Sequence, residues 1–285
     1  MSKDTGVKSL AFVVGIFPLP LLLGAGHYNP LTTTPEPLKV LIAPIYPQNW
    51  PLTTYVTLFE ARGRAMGFYL HEFTETGHYV LGEGERHFIG SNSSKTISFF
   101  HDFSGRRLGN GWARYTYRSQ DRKLEGFVTV AKYKQPTPED GHEREVSARI
   151  KAVEPARSFR LLAYRDSIEE TAISIVNPTE EEQTVTVRLY GGWTIPISNA
   201  RPDPRFVEKS WTLGPMTRLS RFLSELLPIE GYDDSTGRTD DRPGRTHGIV
   251  HVQGETQIAV GALGFDHETG EFWGLPVFAE PPEHP

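Results

Sequence analysis

"LSRFLSELLP", Leu219 to Pro228, is the one stretch of the C-terminal half with helical spacing. Leu219, Phe222, Leu223, Leu226 and Leu227 fall on one face of a turn and Glu225 on the other. The segments around it, "TAISIVN", "QTVTVRLYG" and "QIAVGALGF", are short runs rich in β-branched residues that read as strands. A counterpart lies in the N-terminal half. "ISFFHDF" (Ile97 to Phe103) sets Phe99, Phe100, Asp102 and Phe103 in the order of Phe222, Leu223, Glu225 and Leu226.

Three further blocks match in the same order, which is the signature of an internal repeat. "KVLIAPIY" (Lys39 to Tyr46) matches "FRLLAYRD" (Phe159 to Asp166) as an opening strand, and Tyr55 to Phe73 matches Ala172 to Tyr190 as a hairpin. Gly111 to Val130 then matches Gly248 to Leu263. The prediction is an all-β chain of two tandem antiparallel β-sandwich repeats, Ig-like or jelly-roll-like, each with one short helical turn. Such a turn closes the open end of a sandwich where the chain crosses between sheets.

Working outward sets the domain plan: a signal peptide over 1–26, a Thr/Pro-rich arm over 27–37, repeat 1 over 38–134, a linker over 135–156, repeat 2 over 157–279 and a tail over 280–285. Lys3 and Lys8 precede the apolar run Leu10 to Leu23 and the small residues Gly24, Ala25 and Gly26, which is the layout of an export signal. Pro18 and Pro20 interrupt that run, and a membrane span needs about 20 apolar residues, so no stable span is expected after cleavage. "KQPTPEDGHERE" (Lys134 to Glu145) has linker composition. With no cysteine in 285 residues, disulfides, thiolate metal sites and a cysteine nucleophile are excluded, and a secreted or extracytoplasmic bacterial setting is expected. A net charge of -5 with scattered Lys and Arg argues against nucleic acid.

"SIVNPTEEEQTVTVRLY", "RFLSELLP", "QIAVGALGF" and "FWGLPVF" together resemble the repeated, largely uncharacterised β-sandwich modules of exported proteins from environmental bacteria. The resemblance is strongest over Phe159 to Phe278, whereas the first half lacks the Asn-Pro turn and the Leu-Pro-Val ending. It implies a fold and an extracytoplasmic setting, and brings no catalytic residues with it.

Candidate sites follow from residue chemistry. Asp233, Asp234, Asp240 and Asp241 in the loop "YDDSTGRTDDRPG" supply hard oxygen ligands suited to calcium, although Arg238, Arg242 and Arg245 offset them and a solvated, mobile insertion is the favoured reading. Trp112, Tyr115, Tyr117 and Trp193 are candidates for an aromatic ligand platform. In "WARYTY" Trp112, Arg114 and Thr116 share one face and Ala113, Tyr115 and Tyr117 the other, so one set must be inside, and the core is the favoured place for Trp112. His247 and His251 sit about 13 Å apart on one strand face, too far to share an ion. No Gly-x-Ser-x-Gly elbow, phosphate-binding Gly-Lys loop or His-Glu-x-x-His occurs, and carboxylate pairs such as Asp102 with Glu125 or Glu225 with Glu255 are unsupported.

The expectation is therefore a non-enzymatic surface or extracellular module with a structural, adhesive or ligand-binding role. The alternatives are a carbohydrate-binding subunit of polysaccharide metabolism and a hydrolase with an unrecognised carboxylate pair. Carbohydrate or a cell-surface protein is the expected partner, and self-assembly through the N-terminal arm a further possibility to test. Leu223 and Leu226 are expected buried and Glu225 exposed. Leu226→Asp should then unfold the second half rather than abolish an activity, read as loss of the native cooperative melting transition, because it sets a charge in an apolar site.

Overall fold

Alternation of apolar and polar residues produces strand after strand, and which layer each joins depends on what faces it. The structure is a computed structural model that describes residues 38–46, 52–79, 84–98, 111–118, 122–133, 145–165, 168–191, 206–227 and 246–281. The expected signal segment and arm, Phe99 to Phe103, Trp193 and the acidic loop lie outside the described residues. The first half contains β1 (Leu38–Tyr46), β2 (Leu52–Glu60), β3 (Met66–Thr74), β4 (Glu85–Ile89), β5 (Ser94–Ser98), β6 (Gly111–Arg118), β7 (Leu124–Tyr133) and β8 (Glu145–Lys151). The second contains β9 (Ala156–Arg165), β10 (Glu169–Val176), β11 (Gln183–Gly191), β12 (Phe206–Leu213), β13 (Arg218–Phe222), α1 (Leu223–Leu226), β14 (Thr246–Asp266), β15 (Phe272–Leu275) and β16 (Val277–Ala279).

In the first half one antiparallel sheet runs β1-β6-β3-β4 and another β5-β2-β7-β8. Leu41, Phe68 and Tyr115 from the first sheet meet Val56, Leu58 and Val128 from the second in a common core. In the second half β14 is 21 residues long and serves two layers. Its first part pairs with β9 and β11, and β11 pairs with β12. Its second part pairs with β10 and β15, and β10 pairs with β13. The register against β9 shifts between Gln253 and Ile258, where the strand passes from one layer to the other. The two layers enclose a core of Phe159, Val187 and Val250 against Ile173, Ile175 and Val260.

Three expectations change. Tyr55 to Phe73 is not a hairpin: β2 and β3 lie in different sheets, and β10 and β11 likewise do not pair. The reason is that a buried polar side chain at each crossing gathers backbone groups from the turn and from neighbouring segments, in place of a strand partner. Glu60 accepts from the backbone N–H groups of Arg62, Arg64 and Lys123, at 3.0, 2.6 and 3.1 Å. In the second half the fully buried Asn177 donates to the carbonyls of Glu181, Leu213 and Gly214 and accepts from Thr179 and Gln183. The expected linker over 135–156 contains strand β8, whose Ala148 and Ile150 belong to the first core. Charge at Glu143 to Glu145 disguises a strand whose later residues alternate inward. Finally, "HGIVHVQ" and "QIAVGALGF" are one strand, not two.

The helical turn is shorter than the stretch that predicted it: Leu223–Leu226 form α1, whereas Leu219 to Phe222 belong to strand β13 because they pair with β10. Leu223 and Leu226 are fully buried and Glu225 is exposed. Glu225 accepts from the Phe222 N–H at 3.1 Å, the buried Glu170 accepts from the Ser224 N–H at 2.8 Å, and Trp211 Nε1 donates to the Leu226 carbonyl at 3.3 Å. These contacts occupy the free backbone groups that so short a helix leaves at both ends.

The two halves meet along a buried seam. Trp112 stacks on Phe73 with centroids 4.3 Å apart, and with Ile42 it packs against Val176 and Ala259 of the second half. Trp112 Nε1 donates to the Met216 carbonyl at 3.0 Å, and Ser174 Oγ to the Pro44 carbonyl at 2.6 Å. Gly261 lets the backbones approach, since a Cβ there would stand 2.7 Å from Pro44 Cγ. Arg218, 6% exposed, donates to the Gly111 carbonyl at 2.5 Å and lies 3.8 Å from Glu75, and burial draws its pKa down to about 10. Trp112→Ala should cost about 3–5 kcal/mol through the cavity it leaves. Calorimetry should show one transition for the native chain and a lowered, split one for the variant. An unchanged single transition would mean that this seam does not couple the halves.

Candidate functional site

Strands β12, β11, β14 and β9 lie side by side, so every second side chain points away from the second core. Pairing fixes which of these outward residues are neighbours. Phe206 is opposite Tyr190, Tyr190 opposite Ile249, and Ile249 opposite Leu162. All four are exposed, at 49%, 37%, 43% and 58%. They form an unbroken apolar row across four strands, about 14 Å from end to end at ~4.8 Å per strand. The Tyr190 and Phe206 rings are 5.9 Å apart and tilted by 46°. Single exposed apolar residues are ordinary on a protein surface, whereas a contiguous patch marks an interaction site.

The next row is charged and internally neutralised. Glu208, Arg188, His251, Arg160 and Phe278 follow in register from β12 to β16. Arg188 Nε lies 2.5 Å from Glu208, and Glu280 is paired with both Arg160 and His251, the latter at 2.8 Å. Burial alone would raise the Glu280 pKa, but the Ser158 hydroxyl, His251 and Arg160 together hold it below the usual carboxylate value. With its charges already paired, this row asks no counter-charge of a partner. The apolar row is the unsatisfied part of the face.

Two polar clusters lie on the first half. On the outer face of its β1-β6-β3-β4 sheet, His71 Nδ1 is 2.9 Å from the Tyr79 hydroxyl, and the Arg114 guanidinium lies 5.3 Å from the centre of the Phe73 ring. On the inner face, Glu72 is 5% exposed beside the fully buried Tyr115, whose hydroxyl has no hydrogen-bond partner among the described residues. Burial, and after it the charge of Glu85, pushes the Glu72 pKa up to about 7. Nearby His87 is 3.4 Å from Glu85, and burial lowers its pKa. On the other side of the His71 ring, Nε2 lies 3.4 Å from the Thr116 hydroxyl. At the junction of β1, β7 and β9 a cleft of about 200 Å³ has a floor of Leu41, Leu124 and Phe159 and a rim with Lys151 and Glu154, smaller than the ~300–1,000 Å³ of ordinary ligand pockets.

The residues singled out in the sequence fall elsewhere. Trp112, Tyr115 and Tyr117 are at most 1% exposed and form no surface platform. Both faces of "WARYTY" carry buried rings because β6 faces the first core on one side and, at Trp112, meets the second half on the other. Tyr115 and Tyr117 enter the first core, and Trp112 enters the seam. Trp193, Asp233, Asp234, Asp240 and Asp241 lie outside the described residues, as does Asp102. Among the described residues no three His, Asp or Glu side chains are grouped to hold a metal ion, and no helix is long and apolar enough to cross a membrane. Glu225 and Glu255 accept from separate backbone N–H groups, those of Phe222 and Thr184.

The exposed row was missed because its members are scattered over four segments, each an ordinary strand by itself. The available signal was an apolar residue at an outward position in each of "RLLAYR", "VRLYG", "RFVEKS" and "GIVHVQ". No protein-family model matches the chain, and no curated protein gives a significant sequence match.

The Glu72 carboxyl makes stability depend on pH with a defined sign. Its folded pKa lies above the ordinary 4.5, so its full contribution is present below about pH 4.5 and is lost as pH rises through 7. The gap corresponds to roughly 3 kcal/mol. Glu72→Gln should therefore raise the melting temperature at pH 8 and leave it nearly unchanged at pH 4.5. An equal effect at both values would place the cost elsewhere.

Proposed function

We propose that the chain is an exported, non-enzymatic module built from two tandem β-sandwich repeats, and that it works by binding or adhesion through the outer face of β12, β11, β14 and β9. The repeat reading is supported by equal pairing order in the two halves. The order β1-β6-β3-β4 corresponds to β9-β14-β11-β12, and β5-β2-β7-β8 to β13-β10-β14-β15. The correspondence extends past the last strand, since Val153 bridges to Ile42 on β1 as β16 pairs with β9. Export rests on the amino-terminal sequence pattern.

The observation that carries the functional reading is the in-register row Phe206, Tyr190, Ile249 and Leu162. Two of its members are rings and two are branched aliphatics. Sugars stack on rings and gain little from Ile or Leu, so the row suits a protein surface better than a glycan. The carbohydrate-binding alternative keeps the ring pair Tyr190 and Phe206 beside the polar row.

Retention on isolated cell envelopes and on immobilised polysaccharides decides between them. The full chain should be retained on envelopes, and Tyr190→Asp, with an unchanged melting curve, should be lost from them. Equal retention of both proteins would remove this face as the binding surface, and retention on polysaccharide alone would favour the carbohydrate reading.

A further inference from the structure

The exposed row has a buried counterpart in the same molecule, and the counterpart shows what such a row holds. In the first half Trp112 on β6 is opposite Phe73 on β3. In the second half Ile249 on β14 is opposite Tyr190 on β11. These are the same positions of the same strands in the shared pairing order: Trp112 directly follows Gly111 and Ile249 directly follows Gly248, the glycines that open the pairing with β3 and β11, and both face outward from their cores. On the third strand Ala43 pairs with Ala113, which sets Pro44 beside Trp112, and Leu162 pairs with Ile249. Leu162, Ile249 and Tyr190 thus occupy the places of Pro44, Trp112 and Phe73.

In the first half those places are covered. Trp112 and Phe73 pack on Val176 and Ala259, and Pro44 meets Ser174 and Gly261. All of the covering residues are outward positions of β10 and β14, on the outer face of the second half's β13-β10-β14-β15 layer. The halves therefore join head to tail, one kind of layer receiving the other. Among the described residues, that joint leaves exposed apolar residues on two faces of the same two kinds: the row on the second half, and the outer face of β5-β2-β7-β8 on the first, where Ala131 is covered and Phe127 is not. The latter carries Phe59 and Phe127, stacked with centroids 6.1 Å apart, Phe127 being 39% exposed.

We propose that the partner of the exposed row is a second copy of this chain, which seats its first-half β2 and β7 face, with Phe59 and Phe127, on Tyr190, Ile249 and Leu162 in a head-to-tail contact. The proposal rests on the tandem-repeat reading and on the row as the binding surface, and it names the occupant. A Phe stands at the position of Gly261, so the new contact is not a copy of the internal one: Phe127 faces Thr57 on β2 as Gly261 faces Ser174 on β10. The rings project onto the row where the glycine let backbone approach. A head-to-tail contact between different faces does not close on itself in pairs, so association is open-ended. The face spans roughly 400 Å² per copy at ~4.8 Å per strand, which places it among weak contacts. Within the chain the matching joint gains from its tether, whereas separate copies require high concentration.

Sedimentation of the full chain over rising concentration tests this, with two variants chosen at exposed positions. The native chain should pass from monomer through dimer to larger species. Tyr190→Asp disables the receiving face and Phe127→Asp the inserting face, so each alone should stay monomeric at concentrations roughly tenfold above the native onset. Mixed in equal amounts, they should form a dimer and nothing larger, because one intact face of each kind remains. A native chain that is monomeric at every concentration would overturn the proposal. So would Phe127→Asp associating like the native chain, which would remove the first-half face as the partner. Because no envelope or glycan is present, a native chain that never self-associates yet is retained on envelopes sinks this proposal alone, and Tyr190→Asp behaving like the native chain in both assays sinks the binding surface as well.

Discussion

Trp112 is the residue on which the arrangement turns. It sits on a central strand with its back to the first core, and its indole is covered only because β10 and β14 of the second half lie across it. The indole N–H reaches the Met216 carbonyl, and two residues on, the Arg218 guanidinium is drawn under the same seam to reach the Gly111 carbonyl beside Trp112. A buried guanidinium is costly unless its donors are met. Here the backbone carbonyl and Glu75 meet part of that need, and they do so only when both halves are in place. The seam thus makes the packing of one half depend on the folding of the other.

That dependence shapes the rest of the second half. The β10 and β14 strands are buried on both faces, with Ile173, Ile175 and Val260 inward and Ser174, Val176 and Ala259 toward the first half. This explains why "TAISIV" and "QIAVGALGF" read as almost continuous apolar runs rather than as alternation. The far layer of the same half has one covered face and one open face, yet four of its outward positions are apolar too. Among the described residues those four positions, Phe206, Tyr190, Ile249 and Leu162, stay exposed.

Polar side chains do the work of turning the chain between layers. Glu60 in the first half and Asn177 in the second are buried where the strand leaves one sheet for the other, and each gathers backbone groups that no strand partner reaches. Asn177 is further tied to Gln183, which also binds the backbone at Thr256 and Gln257 where β14 changes layer. One polar network therefore fixes a crossing, a turn and a bend together, which a purely apolar junction would leave loosely specified.

Sequence alone determined the strands with clear alternation and the helical turn at Leu223–Leu226, because these depend on neighbours within one segment. Leu223, Leu226 and Glu225 took the places their spacing assigned. Sequence did not show that β2 and β3 part into different sheets, that charged residues before Val146 lead into a strand, or that Trp112 and Tyr115 are both inside. Those outcomes depend on what lies opposite each strand face. The exposed row was illegible for the same reason: Leu162, Tyr190, Phe206 and Ile249 are unremarkable one at a time and become a surface only when backbone pairing sets four distant segments in register.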